Sequence, residues 1–131
     1  QFGILDMNYH TQTKPIESEI IKFEKNALLS TDVLPSVPEC IISTSFGHIF
    51  SGGYAAGYYS YKWAEVLAAD GFNLFEEKGI FDKETAGKFR HLLEQGGSVE
   101  AAQLYRDFRG HDPEPEALLR QLDIIEYLRC R

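Results

Sequence analysis

Apolar residues recur along this chain at intervals of three and four, the period of a helix rather than of a strand. Ile16, Ile20, Phe23 and Ala27 form one such stripe, with Leu28 beside it. Pro15 precedes the stripe and Glu17 and Glu19 flank its start. Proline fits a first helical turn and acids suit the positive end of the helix dipole, so the pattern predicts a helix over 15–29. Thr31, Asp32, Pro35, Ser36 and Pro38 then supply turn chemistry. Ile41 to Phe46 is a short apolar run that leans toward a strand. The mixed run FGILDMNYHT near the start is assigned to no element.

The longest predicted helix covers 58–75, built on the helix formers Ala64, Glu65, Leu67, Ala68 and Ala69. Trp63, Val66 and Leu67 are its expected core face, extended by Tyr59 or Leu74. Asp82 is the expected N-cap of a helix over 83–95, stopped by Gly96 and Gly97. Ser98 is expected to cap a further helix over 99–109, ended by Gly110. Pro113 to Pro115 opens a last one through Leu122. Phe89, Leu92, Leu93, Leu104, Tyr105, Phe108, Leu118, Leu119 and Leu122 complete the apolar stripes. The expected fold is all-α, a helical bundle with at most a short β segment.

Composition narrows the function by exclusion. A formal net charge of -7 lacks the clustered basic face that nucleic acid requires, although Arg129 and Arg131 sit together near the end. No apolar run is long enough to span a bilayer, so neither nucleic acid nor membrane is an expected partner. Cys40 and Cys130 lie far apart with no CxxC pair, which points to a reducing, cytoplasmic setting. The 131 residues fit one domain, and the chain opens on Gln1 rather than methionine, as a piece of a longer protein would.

The informative segment is GHIFSGGYAAGYYSYKWAEVLAAD, residues 47–70. Gly52 and Gly53 permit backbone angles closed to other residues. Tyr54, Tyr58 and Tyr61 follow at spacings of four and three, so a helix starting near Tyr54 would project all three hydroxyls from one face. Phenols are neutral donors at pH 7 and stabilise a developing oxyanion without adding a competing base. His48, just upstream, can donate to a substrate carbonyl. A row of tyrosines on a helix is also a common packing or interface feature. A non-catalytic helical module that binds a peptide or protein is therefore the competing expectation.

The string FGHIFSGGYAAGYYSYKWAEVLAAD resembles the C-terminal signature of the thimet oligopeptidase and peptidyl-dipeptidase Dcp family of zinc metallopeptidases. LDMNYHT near the start, KFRHLLEQGGS and LYRDFRGHDPEPEALLRQL resemble it too, so the likeness covers nearly the whole chain. The single Gly57 in AAGYY is closer to the peptidyl-dipeptidase branch. The resemblance implies a zincin-type catalytic domain of which 1–131 is the C-terminal part. Its subdivisions would be a segment 1–46, the Gly/Tyr motif 47–70 and C-terminal helices 71–131. By the same likeness Tyr54 and Tyr61 stabilise the tetrahedral intermediate, Tyr58 borders the cleft, His48 contacts substrate, and Gly52 and Gly53 form a loop that packs over bound peptide. Short peptides and the remainder of the parent domain would be the partners.

The family holds zinc through an HExxH helix, which also supplies the general base, and this sequence contains no HExxH. Zinc is therefore expected in the full-length parent and not in this stretch, which would be inactive alone. His10, His48, His91 and His111 show no i, i+4 pair. The sequence gives His10 and Asp6 no decided role, and Glu65 reads as a solvated helix residue.

Overall fold

The computed structural model describes residues 1–35 and 37–125; Ser36, Arg129, Cys130 and Arg131 lie outside the described residues. These hold the α-helices α1 (Phe2–His10), α2 (Ile20–Leu28), α3 (Ser60–Lys78), α4 (Lys83–Gln95), α5 (Ala101–Arg109) and α6 (Glu116–Gln121). Single 3₁₀ turns occur at Leu29–Thr31 and Gly47–Ile49, and among the described residues there is no strand. The all-α expectation holds. Backbone contacts divide the chain into two compact units, Gln1–Tyr61 and Lys62–Arg131.

In the first unit α1 packs on α2. Leu5 and Asp6 of α1 are fully buried, and the Tyr9 and Phe23 rings meet at 4.8 Å. The run 41–46 is a series of turns, not a strand. Its anchor is Glu24, a buried acid on α2 whose carboxylate accepts the backbone N–H groups of Ile42 at 2.7 Å and Ser43 at 2.9 Å. Tyr9 adds its hydroxyl to the same carboxylate at 3.1 Å. Burial pushes the Glu24 carboxyl up, but the hydrogen bonds from Ser43, Ile42 and Tyr9 outweigh it and hold the group below the usual glutamate value. α2 begins at Ile20, five residues later than the predicted Pro15, so Pro15, Ile16 and Glu17 precede the helix and Ile20 is partly exposed.

In the second unit Val66, Ala69, Asp70 and Leu74 form the buried face of α3. Leu104, Tyr105 and Phe108 of α5 are buried as well. Phe108 lies against Phe89 at 5.5 Å and reaches Gly71, where an added methyl group would touch its ring at 3.5 Å. Buried Asp70 accepts from the Tyr105 hydroxyl at 2.6 Å and from Arg109 Nε at 3.1 Å, while Arg109 Nη2 donates to Glu77 at 2.9 Å. Asp82 caps α4 as expected, accepting the Thr85 N–H at 2.7 Å, and Gly110 ends α5 with φ 93°. Ser98 does not cap α5. Glu100 does, accepting from the amides of Ala102 and Gln103. Trp63, expected on the core face, is instead about half exposed, and with Leu67, Phe72, Phe89 and the exposed Leu93 it lines an apolar groove of about 980 Å³.

Replacing Glu24 with alanine leaves two loop amides without their acceptor, and the expected cost is on the order of 3 kcal/mol in a urea melt. The folded carboxyl sits below its ordinary value, so its contribution is complete above the ordinary glutamate range and is lost as the pH falls through the depressed value. An acid titration of stability should therefore flatten in Glu24→Ala. In the second unit, Tyr105→Phe should cost about 1–3 kcal/mol by removing a short bond to a buried carboxylate, with the melt unchanged if that bond contributes nothing.

Candidate functional site

The Gly/Tyr segment does not fold as a helix from Tyr54. α3 starts at Ser60, and Tyr54 and Tyr58 lie in the turns before it. Gly52 and Gly53 take φ of 124° and 83°, and Ala56 takes 54°. A methyl group added at Gly52 or Gly53 would meet nothing within 4 Å, so these glycines serve backbone angle in an open loop rather than close packing.

The rings nonetheless come together. Tyr54 stacks on Tyr61 at 5.5 Å with 21° between planes, and Tyr58 lies 6.3 Å from Tyr54 and 5.2 Å from Tyr61. His48 lies 6.2 Å from Tyr54 and 6.4 Å from Tyr58. Phe46 backs the cluster, 4.8 Å from Tyr58 and 5.7 Å from His48. Tyr54 and Tyr58 are half-buried, while Tyr61 and His48 are exposed, so the cluster is open on one side. The hydrogen bond with Tyr54 first, then burial and the neighbouring phenols, push the Tyr61 hydroxyl above its ordinary value. It therefore remains a neutral donor through the physiological range.

Helix α1, which sequence reasoning assigned to no element, underlies this loop. The Asp6 carboxyl is fully buried and accepts two loop amides, Ala56 at 2.9 Å and Tyr58 at 2.9 Å. His10 Nδ1 lies 2.8 Å from the same carboxyl. Gly3 lets the turn approach: a methyl group there would sit 3.4 Å from the Tyr59 Cα. Phe2 meets Tyr58 at 6.0 Å, and Phe50 meets Tyr9 at 5.3 Å. No signal in the mixed run around Asp6 reports this role, because its loop partners lie 50 and 52 residues away.

Among the described residues no three His, Cys, Asp or Glu side chains come together to hold a metal ion. The residues present do not fit the zinc site that the resemblance implies. Glu65, four residues after Tyr61, pairs with Lys62 at 2.7 Å on the helix surface. Cys40 is an exposed free thiol.

The electrostatics of the phenol cluster give a direct test. Tyr61 should ionise at a higher pH than free tyrosine in an ultraviolet titration. Tyr54→Phe removes the leading cause and should bring Tyr61 back toward the ordinary value. A Tyr61 titration that Tyr54→Phe leaves in place would exclude the Tyr54 bond as its cause.

Comparison with known proteins supplies the family. Residues 1–124 match the sequence profile of Peptidase family M3. The chain is 45% identical to probable cytosolic oligopeptidase A of Arabidopsis thaliana, over 95% of this chain and 19% of that protein. It is 42% identical to oligopeptidase A of Escherichia coli K12, over 95% of this chain and 18% of that protein. It is 40% identical to the dipeptidyl carboxypeptidase of Salmonella typhimurium LT2, over 90% of this chain and 18% of that protein. The chain thus spans about a fifth of the length of these relatives. With the profile covering almost all of its residues, the chain belongs to peptidase family M3.

Proposed function

We propose that this chain forms the substrate side of a peptide-hydrolysing site in a zinc-dependent, cytoplasmic oligopeptidase. The metal and the general base would come from residues outside it, in the same catalytic domain. The observation that carries the reading is the convergence of Tyr54, Tyr58 and Tyr61 beside His48 on a loop of positive-φ residues. As a scissile carbonyl becomes tetrahedral, its oxygen gains negative charge. Tyr54 and Tyr61 donate their hydroxyls to that oxygen, which stabilises the transition state more than the substrate. Tyr58 borders the peptide, and His48 donates from a ring nitrogen to a substrate carbonyl. Gly52 and Gly53 let the loop follow the peptide's shape. The chain alone would not hydrolyse peptides.

Two cleavage modes divide the relatives. The single Gly57 favours release of dipeptides from a peptide C-terminus. The identities favour the other mode, at 42% to the Escherichia coli oligopeptidase A against 38% to the dipeptidyl carboxypeptidase of the same organism. Amidating the C-terminus of a substrate separates them. An enzyme that counts from the terminal carboxylate loses activity, whereas internal cleavage persists. A non-catalytic binding module has one observation in its favour, the apolar groove beside Trp63 and Phe72. It would leave the protein without hydrolysis in any zinc-loaded form.

In the full-length, zinc-loaded protein that contains this chain, Tyr61→Phe should lower kcat about 100-fold or more with little change in KM, the loss expected for an oxyanion donor. Unchanged kcat would return the tyrosines to packing.

A further inference from the structure

Asp6 and His10 touch no phenol hydroxyl, yet they bear on the backbone that places all three. We infer that Asp6, backed by His10, is the positioning residue of the tyrosine loop; the inference rests on the reading of Tyr54 and Tyr61 as oxyanion donors. A carboxylate offers about four acceptor sites. Asp6 uses them on Ala56 N–H, Tyr58 N–H and His10, from a position with no solvent exposure. His10 Nδ1 faces only acceptors, the Asp6 carboxyl at 2.8 Å and the Asp6 carbonyl at 2.9 Å. The proton therefore sits on Nδ1, and the imidazole is a donor that holds the carboxyl in its rotamer. The two latched amides flank Gly57 and span the Ala56 peptide, whose φ of 54° is costly for a residue with a side chain. Such a conformation persists only where its surroundings determine it. Tyr54 lies two residues before the latch, Tyr58 carries part of it, and Tyr61 is the second residue of α3, the helix that follows. Releasing the latch lets Ala56 relax and separates the phenols without deleting any of them. Asp6 thus acts through the tyrosines and not on the substrate.

The test uses the full-length protein containing this chain. Asp6→Asn turns an amide NH₂ toward a loop N–H and breaks one latch while keeping the side chain's size. It should lower kcat about ten- to a hundredfold, the scale of a small misplacement of catalytic groups. KM should move little. In a Tyr61→Phe background the same substitution should cost far less, because the donor it positions is already gone. His10→Gln restores an N–H to Asp6 and should keep activity, whereas His10→Leu should not. Amide exchange at Ala56 and Tyr58 should quicken in Asp6→Asn and His10→Leu. Losses that simply multiply with Tyr61→Phe, or exchange rates that do not change, would overturn the inference. If Asp6→Asn fails to fold, the partly exposed His10 variants carry the same comparison. If Tyr61→Phe itself keeps full kcat, the donor reading fails, and exchange at the two amides alone decides whether Asp6 latches the loop.

Discussion

A buried backbone amide must find an acceptor, and a loop has no ladder to provide one. The first unit meets that requirement with two carboxylates carried on helices. Asp6 on α1 takes the amides of Ala56 and Tyr58, and Glu24 on α2 takes those of Ile42 and Ser43. Each turns an irregular stretch into a defined one, because two amides held by one carboxylate fix the peptide between them. Everything proposed for the site depends on this. The rings of Phe46, Tyr54 and Tyr58 belong to irregular backbone between α2 and α3, and that of His48 to a single 3₁₀ turn within it.

The chemistry suits the same arrangement. The two buried carboxylates face backbone amides, His10 and the Tyr9 hydroxyl, while the open side of the loop presents phenols and an imidazole. Within the cluster the Tyr61 hydroxyl is pushed above its ordinary value, first by its hydrogen bond with Tyr54, then by burial and the neighbouring phenols. A surface of neutral donors can meet a peptide carbonyl without repelling the charge that develops on it.

Much of the second unit was legible because its signals are local. Asp82 caps α4 three residues from its partner Thr85, and Gly110 ends α5 where the left-handed angle is needed. The start of α5 was misread because Glu100 caps with a carboxylate that reaches two amides at once, outcompeting nearby Ser98. α1 left no readable stripe: Phe2, Ile4 and Met7 are partly exposed, and the one fully buried polar residue, Asp6, has its loop partners 50 and 52 positions away. No local pattern reports such a partner. The motif residues themselves were legible through their resemblance to a family, but their geometry was not.

The misplaced helix start explains why the loop is needed. In a helix a residue rises 1.5 Å, so a row from Tyr54 to Tyr61 would spread its members over about 10.5 Å along the axis. The observed rings of Tyr54 and Tyr61 stack at 5.5 Å, with Tyr58 beside both. Folding the chain back between them passes through the left-handed Ala56, where helical hydrogen bonds are lost. A continuous helix would keep the rings in a row, whereas their observed convergence comes with the turn. The turn prevails because Asp6 supplies the acceptor that the helix would have provided, so the buried carboxylate and the exposed phenols are two parts of one arrangement.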